Sequence, residues 1–182
     1  MTIPHFMISA VDISGVVAFA LVALWPLAKG RQAMLIGQAA SAAAFAVYYL
    51  LLGAHTGAAM TLLSMVQGFA MYPVKRSWTH KALFMATLPA MAVLVALTWH
   101  GWPSAFAVIG LLLATVGRWQ ATAAGLRRGF LGSGFAWIGH DIITGSWYGL
   151  AADALCMVNL IVGSMRETRQ MAKPGGPQRS PA

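Results

Sequence analysis

Seven apolar stretches follow one another along the chain, and short polar segments separate them. They cover residues 8–28, 32–52, 55–73, 82–99, 103–120, 127–145 and 148–165. Each is close to the ~20 predominantly apolar residues that a helix needs to cross a bilayer. The pattern therefore predicts an all-α membrane protein with seven transmembrane helices.

Two of the connections are very short and carry paired glycines, Gly53 with Gly57 and Gly145 with Gly149. Glycine permits a sharp reversal of the chain, so two tight helical hairpins are expected. The segment 167–182 is polar and rich in Pro and Gly, which is typical of a disordered tail. The N-terminus lacks the basic region and cleavage site of a signal peptide, and we expect it to be retained.

The composition excludes a soluble domain. The chain has 182 residues, of which 59% are hydrophobic and 9% charged, with a net charge of +8. A soluble domain carries far more charge, because water must wet its surface. Nucleic acid is not an expected partner, because the sequence has no soluble basic face. The single Cys156 lies inside an apolar stretch, so neither a disulfide framework nor a thiolate metal site is expected.

The basic residues all lie on one side of the predicted membrane. They follow the first, third, fifth and seventh stretches and number 12: Lys29, Arg31, Lys75, Arg76, Lys81, Arg118, Arg127, Arg128, Arg166, Arg169, Lys173 and Arg179. Lys and Arg are enriched in cytoplasmic connections of membrane proteins. The distribution predicts an N-terminus outside the cytoplasm and a C-terminus within it.

The chain also contains an internal repeat. A constant shift of 92 positions pairs residues 37–68 with residues 129–160, and nine of the 32 pairs are identical, where roughly three are expected by chance. The shift carries the first stretch onto the fifth across four crossings, so the two copies have the same orientation. This predicts a 3+1+3 fold of two parallel three-helix repeats joined by an unpaired fourth helix. The predicted parts are residues 1–76, 77–101, 102–166 and a cytoplasmic tail, 167–182.

The 3+1+3 plan resembles the SWEET and PQ-loop superfamily of transporters. More specifically, Gly37-Gln38-x-x-Ser41, Tyr49-Leu-Leu-Leu-Gly53 and Thr56-Gly57-Ala58 resemble the bacterial inner membrane YgjV family. This second resemblance covers residues 30–75 and implies the bacterial inner membrane, without a known substrate. The remoter similarity to SWEET proteins implies transport.

The resemblance to SWEET proteins also implies a set of substrate-binding residues. In those proteins, amides on the third and seventh helices and aromatic side chains on the second and sixth line the cavity. The matching positions are Gln67 with Asn159 and Phe45 with Trp137, each pair related by the repeat. For the amides a second interpretation stays open, because a hydrogen bond between membrane helices contributes on the order of 0.6–2 kcal/mol.

Ionisable residues at membrane depth are costly and mark functional sites or internal pairs. Three stand out, His140 and Asp141 in the sixth stretch and Asp153 in the seventh. Through the repeat Asp141 corresponds to Tyr49, so the first copy is neutral where the second is ionisable. All four residues are candidates for binding the solute. Two alternatives stay open: the aspartates lie at the membrane interface, or His140 is hydrogen-bonded within the bundle.

The sequence predicts no enzyme and no catalytic residue. Ser133 and His140 share a helix face but are separated by about 10 Å of helix rise, which is too far for a nucleophile and its base to bond. The seventh stretch has no lysine for a retinal Schiff base. No metal-ligand cluster and no cofactor motif is present in the sequence.

These features favour a transporter or facilitator of a small polar solute, which works by alternating access between the two repeats. The expected partners are membrane lipids and the solute, and the sequence is compatible with a homo-oligomer. The alternative is a non-transporting membrane interaction or assembly protein, whose small-residue faces bind other helices.

Overall fold

The computed structural model describes residues 9–171, and these residues form seven α-helices and no strand. The helices are α1 (Ala10–Leu24), α2 (Arg31–Leu51), α3 (His55–Met71), α4 (Trp78–Thr98), α5 (Trp102–Trp119), α6 (Ala123–Thr144) and α7 (Trp147–Met171). A short 3₁₀ turn, Trp25–Leu27, follows α1 directly. Each predicted stretch corresponds to one helix, and the all-α prediction is confirmed.

Five helices of the described chain are long and apolar enough to cross a membrane: α1 with its 3₁₀ turn, α2, α4, α5 and α7. The other two are the short α3, with 17 residues, and α6, which carries Arg127, Arg128, His140 and Asp141. Eleven residues of α3 are buried. A helix shielded by its neighbours in this way needs less apolar surface of its own.

Six of the helices form a closed ring, in the order α1, α2, α3, α5, α6, α7 and back to α1. The helix α4 lies outside this ring, mainly against α3. Accordingly, three residues of α4 are buried, namely Phe84, Thr87 and Met91. Side chains from all six helices line the interior of the ring, and the candidate site lies there.

Glycines set the closest helix contacts and the two tight hairpins. A Cβ atom added at Gly129 of α6 would lie 2.3 Å from the Cα atom of Gly117 in α5. Small residues allow such close approach of membrane helices. The hairpins after α2 and α6 turn at Gly53 and Gly145, whose φ angles are +78° and +69°. Most other residues are strained in this left-handed region.

The helix α7 is longer than its sequence predicted. It continues past the expected end at residue 165 and runs to Met171, so five residues of the predicted tail are helical. The rest of that tail, 172–182, lies outside the described residues. At the other end, α1 begins with a capping box. The Asp12 backbone N–H donates to Ser9 Oγ and the Ser9 backbone N–H donates to Asp12 Oδ2, each over 3.1 Å, and such a cap stabilises the first turn.

Candidate functional site

A cavity lies between the six helices of the ring. Seventeen residues line it: Val22, Trp25, Gln38, Ser41, Ala42, Phe45, Tyr49, Thr61, Ser64, Ala114, Phe130, Ser133, Gly134, Trp137, Asp153, Cys156 and Met157. The cavity has a volume of about 80 Å³, measured as the space that the centre of a water molecule can occupy. One water molecule needs roughly 10–15 Å³ by this measure, so the space suits several waters or one small solute.

One wall of the cavity is aromatic. The Tyr49 and Trp137 rings stack nearly in parallel, with centroids 5.9 Å apart and 14° between the planes. Phe45 extends this wall with its centroid 5.5 Å from that of Tyr49. His140 lies behind the wall and meets both stacked rings edge-on, at 5.3 and 5.4 Å. Flat apolar faces of this kind can pack against the rings or carbon skeleton of a polar solute.

The aromatic wall leads to a group of acidic and hydroxyl side chains. Tyr49 Oη donates to Asp141 Oδ1 over 2.7 Å, and Asp141 is buried. Asp153 lines the cavity and lies beside Asp141. The Ser146 hydroxyl is completely buried next to the same carboxyl group. Asp141 and Asp153 therefore lie side by side inside the bundle. From the sequence alone, a location of the two aspartates at the membrane interface had stayed open.

A buried arginine lies at the other end of the cavity. Arg118 has no exposed surface, although the sequence placed it in the connection after the fifth stretch. It occupies the last turn of α5 and donates to the amide oxygens of Gln38 at 3.3 Å and Gln67 at 2.8 Å. It also donates to the Ser64 hydroxyl and lies 5.0 Å from the Phe130 ring centroid. These hydrogen bonds compensate a charge that would otherwise be costly at this depth.

The two amides predicted to face the cavity lie elsewhere. Gln67 is fully buried, donates to Thr87 Oγ1 over 2.9 Å and accepts from Thr115 Oγ1 over 3.0 Å. Asn159 donates to the Ala23 carbonyl over 2.9 Å. Neither amide lines the cavity. Both connect neighbouring helices of the ring, which is the second of the two interpretations that the sequence left open.

His140 is buried and bonded within the bundle. Its Nδ1 atom lies 2.9 Å from the Pro103 carbonyl oxygen. It borders a second cavity near the α2–α3 and α4–α5 connections, together with His55, Thr56 and His100. His140 thus separates the two cavities without lining the main one.

A family model described as a bacterial inner membrane protein, Imp-YgjV, matches residues 9–171. The chain belongs to this family. The match extends the resemblance seen at residues 30–75 over nearly the whole length, and the prediction of a bacterial inner membrane protein is confirmed. No curated protein and no solved structure matches the chain.

Four of the predicted site residues line the main cavity of this Imp-YgjV protein: Phe45, Tyr49, Trp137 and Asp153. Asp141 and His140 lie directly behind them. The residues that the sequence reasoning missed are Arg118 and its partners Gln38 and Ser64, together with Ser146. A signal for the first group was present, because Gln38 and Ser64 interrupt apolar helices and need a hydrogen-bonding partner.

Proposed function

We propose that this Imp-YgjV protein transports a small polar solute through the ring of six helices. In this proposal α1–α3 and α5–α7 are two similar units, α4 connects them, and the solute binds in the cavity between the units. Parallel repeats related by an axis along the membrane normal are a known transporter plan, with the site near the midplane. Rocking of one unit against the other would open the cavity to each side in turn.

The observation that carries the proposal is the composition of the cavity wall. Fourteen of the 17 lining residues form seven pairs separated by 92 positions: Val22/Ala114, Gln38/Phe130, Ser41/Ser133, Ala42/Gly134, Phe45/Trp137, Thr61/Asp153 and Ser64/Cys156. A cavity formed by chance between unrelated helices has no reason to follow this shift. A cavity on a pseudo-twofold axis between two repeats must follow it.

Contacts between the units support the same interpretation. Thr115 donates to Gln67 where α5 meets α3, and Asn159 donates to Ala23 where α7 meets α1. Adding 92 to Ala23 gives Thr115, and adding 92 to Gln67 gives Asn159. The two contacts are therefore images of each other.

A second pair of contacts between the units shows the same relation by 92 positions. These contacts lie near the N-terminal ends of α1, α3, α5 and α7. Thr56 Oγ1 lies 2.8 Å from Ser104 Oγ, and Tyr148 Oη donates to Asp12 Oδ1 over 3.3 Å. Each partner again has its counterpart 92 positions away. The side chains differ, yet the places where the helices touch are the same.

The bond between Tyr49 and Asp141 supports the position of the axis. These two residues are themselves separated by 92 positions. In a structure with twofold symmetry, equivalent residues touch each other only beside the axis. The cavity, which Tyr49 lines, thus lies where two parallel repeats would form their common site.

The lining favours a solute that combines polar groups with a flat or apolar part. Ser41, Thr61 and Ser133 supply hydroxyls, and Phe45 and Trp137 supply ring faces. Binding pockets typically combine apolar walls with a few polar groups that orient the ligand.

A non-transporting assembly protein is the second candidate. The observation that favours it is the bonding of Gln67 and Asn159 to neighbouring helices, which leaves neither amide for a solute. In that case the outer helix α4, with its mostly exposed apolar surface, would bind helices of another protein.

A substitution that fills the cavity separates the two candidates. Ala42 is buried and lines the cavity, whereas Ala40 on the same helix is exposed. We would purify the wild type, Ala42→Leu and Ala40→Leu in detergent and measure their melting temperatures with sugars, nucleosides, amino acids and organic cations. Uptake of any stabilising compound would then be measured in proteoliposomes.

For a transporter, one class of compound stabilises the wild type and Ala40→Leu, is taken up, and has no effect on folded Ala42→Leu. Equal stabilisation of all three proteins would place the ligand outside the cavity. Absence of any stabilising compound and of uptake would favour the assembly protein.

A further inference from the structure

Three buried oxygen atoms beside the aromatic wall have no hydrogen-bond partner in the described part of the chain. Among the described residues, nothing donates to or accepts from Asp141 Oδ2, Asp153 Oδ2 or Ser146 Oγ. Asp141 is 1% exposed and Ser146 is 0% exposed. Buried polar atoms without partners are rare in proteins and need an explanation.

The fold places two of these atoms, Asp141 Oδ2 and Ser146 Oγ, close together. A Cβ atom at Gly149 of α7 would lie 2.3 Å from Asp141 Oδ2 and 2.3 Å from Ser146 Oγ. Glycine is therefore the residue that lets both oxygens occupy this place. Asp153 follows Gly149 by four residues, about one helical turn, and its carboxyl group lies beside that of Asp141.

In the described part of the chain, no fixed cation compensates the two carboxyl groups. Within residues 9–171 the ion pair present is Arg127 with Glu167, and neither aspartate has one. Two adjacent carboxylates in a medium of low polarity repel each other and favour uptake of a positive charge.

The other titratable groups around the pair come from four helices. They are Tyr48 and Tyr49 on α2, His140 on α6, Tyr148 and Cys156 on α7, and Asp12 on α1, which reaches the group through Tyr148. His140 directs its Nδ1 atom to the Pro103 carbonyl oxygen. Arg118, whose partners Gln38 and Ser64 line the cavity, lies near Phe130. Phe130 precedes Asp141 by 11 residues, about 16 Å along α6.

We propose that Asp141 and Asp153 form a proton-binding site, which water in the cavity loads through Asp153 and which couples solute movement to protons. This inference rests on the proposed transport function and specifies its energy source. The proton bridges the unpartnered Oδ2 atoms of the two carboxyl groups, and one negative charge remains on the pair. It returns to water when the units rock and the cavity faces the other side.

The position of the pair explains how a proton would affect solute binding. Tyr49 donates to Asp141 with its hydroxyl, and its ring stacks on Trp137 in the cavity wall. A change of charge on Asp141 alters the strength of that hydrogen bond. The orientation of the aromatic wall thereby depends on the protonation of the pair.

Proton binding can be measured without knowing the solute. We would record pH-difference infrared spectra of the full-length protein in lipid and follow the C=O band of protonated carboxyl groups. The wild type should show a band that disappears as the pH rises. Asp141→Asn and Asp153→Asn should each lose it, whereas Asp12→Asn, which alters a carboxylate at the start of α1, should keep it.

A second variant, Tyr49→Phe, keeps the test valid if the aspartate variants do not fold. Tyr49→Phe keeps the ring and removes the donor to Asp141 Oδ1, so the band should remain and its frequency should shift. A band that is unchanged in all variants would overturn the proton site. So would a spectrum that responds to Na⁺ at constant pH and not to pH itself, because the site would then hold sodium.

Proteoliposomes test the coupling separately. Uptake of the solute found by melting should rise several-fold with an imposed pH gradient, and Asp153→Asn should abolish this increase. Uptake that ignores the gradient would overturn the coupling and leave transport intact. A proton band without uptake of any solute would instead refute the proposed transport function.

Discussion

The contact between α5 and α6 gives the sharpest test of the fold, because it rests on two glycine backbones. A Cβ atom at Gly129 would lie 2.3 Å from Gly117 Cα and 2.6 Å from its nitrogen. Backbone atoms have no other rotamer to adopt, so the helices must separate. Overpacking of this kind typically costs 1–3 kcal/mol, and we expect Gly129→Ala to lie at the upper end.

The matched control is Gly132→Ala, three residues further along α6. Its added Cβ atom would have one neighbour within 4 Å, Leu113 Cδ1 at 3.8 Å. Both substitutions gain the same helix propensity, about 1 kcal/mol, so this gain cancels in the comparison. The difference between the variants then equals the packing penalty, ~3 kcal/mol or roughly a hundredfold in the unfolding equilibrium.

The assay is reversible unfolding in mixed detergent micelles, followed by circular dichroism for both variants and the wild type. Gly132→Ala should be at least as stable as the wild type. Gly129→Ala should be less stable than Gly132→Ala by ~3 kcal/mol. Equal stability of the two variants would refute the close approach of α5 and α6. Without that approach, the arrangement of the ring around the cavity would be incorrect.

Two further predictions concern Arg118 and the orientation in the membrane. Arg118→Lys loses the planar set of donors to three side chains. It should lower the free energy of unfolding by about 1.5–3 kcal/mol in the same assay, whereas the exposed control Arg128→Lys should have no measurable effect. Equal effects of the two substitutions would contradict the buried network. Cysteine at exposed His55 should react with an impermeant maleimide on intact cells, and cysteine at exposed Thr79 only after permeabilisation. The reverse pattern would invert the predicted topology.

The sequence predicted the helices well because the signal for a membrane helix is local. A run of about 20 apolar residues is sufficient to identify a span, and every predicted stretch matches a helix. The exception at the C-terminus has a simple reason. The helix α7 extends past residue 165 into polar residues, where hydropathy no longer marks a helix although its backbone hydrogen bonds continue.

The candidate site was predicted only in part, because its contacts are distant in sequence. The predicted repeat pairs Gln67 with Asn159, but it gives no information on which way either side chain points. Gln67 finds its partners on two other helices, at Thr87 and Thr115. Arg118 was assigned to a connection because charge near the end of an apolar stretch usually marks its boundary, and its neutral partners lie 51 to 80 positions away.

The chemistry of the site is divided unequally between the two proposed units. The charged groups at the cavity, Arg118, Asp141 and Asp153, all belong to α5–α7. The first unit supplies neutral partners: Tyr49 to Asp141, and Gln38 with Ser64 and Gln67 to Arg118. Each of these hydrogen bonds therefore crosses from one unit to the other.

This division has a mechanical consequence for the proposed transport. The Tyr49–Asp141 contact and the Arg118 contacts lie at opposite ends of the cavity, separated by about 16 Å along α6. A rocking motion that opens one end must break the contacts there and keep those at the other end. Because one set is acidic and the other basic, protonation of the aspartates would weaken only the first set. The two ends can then open alternately, as a coupled carrier requires.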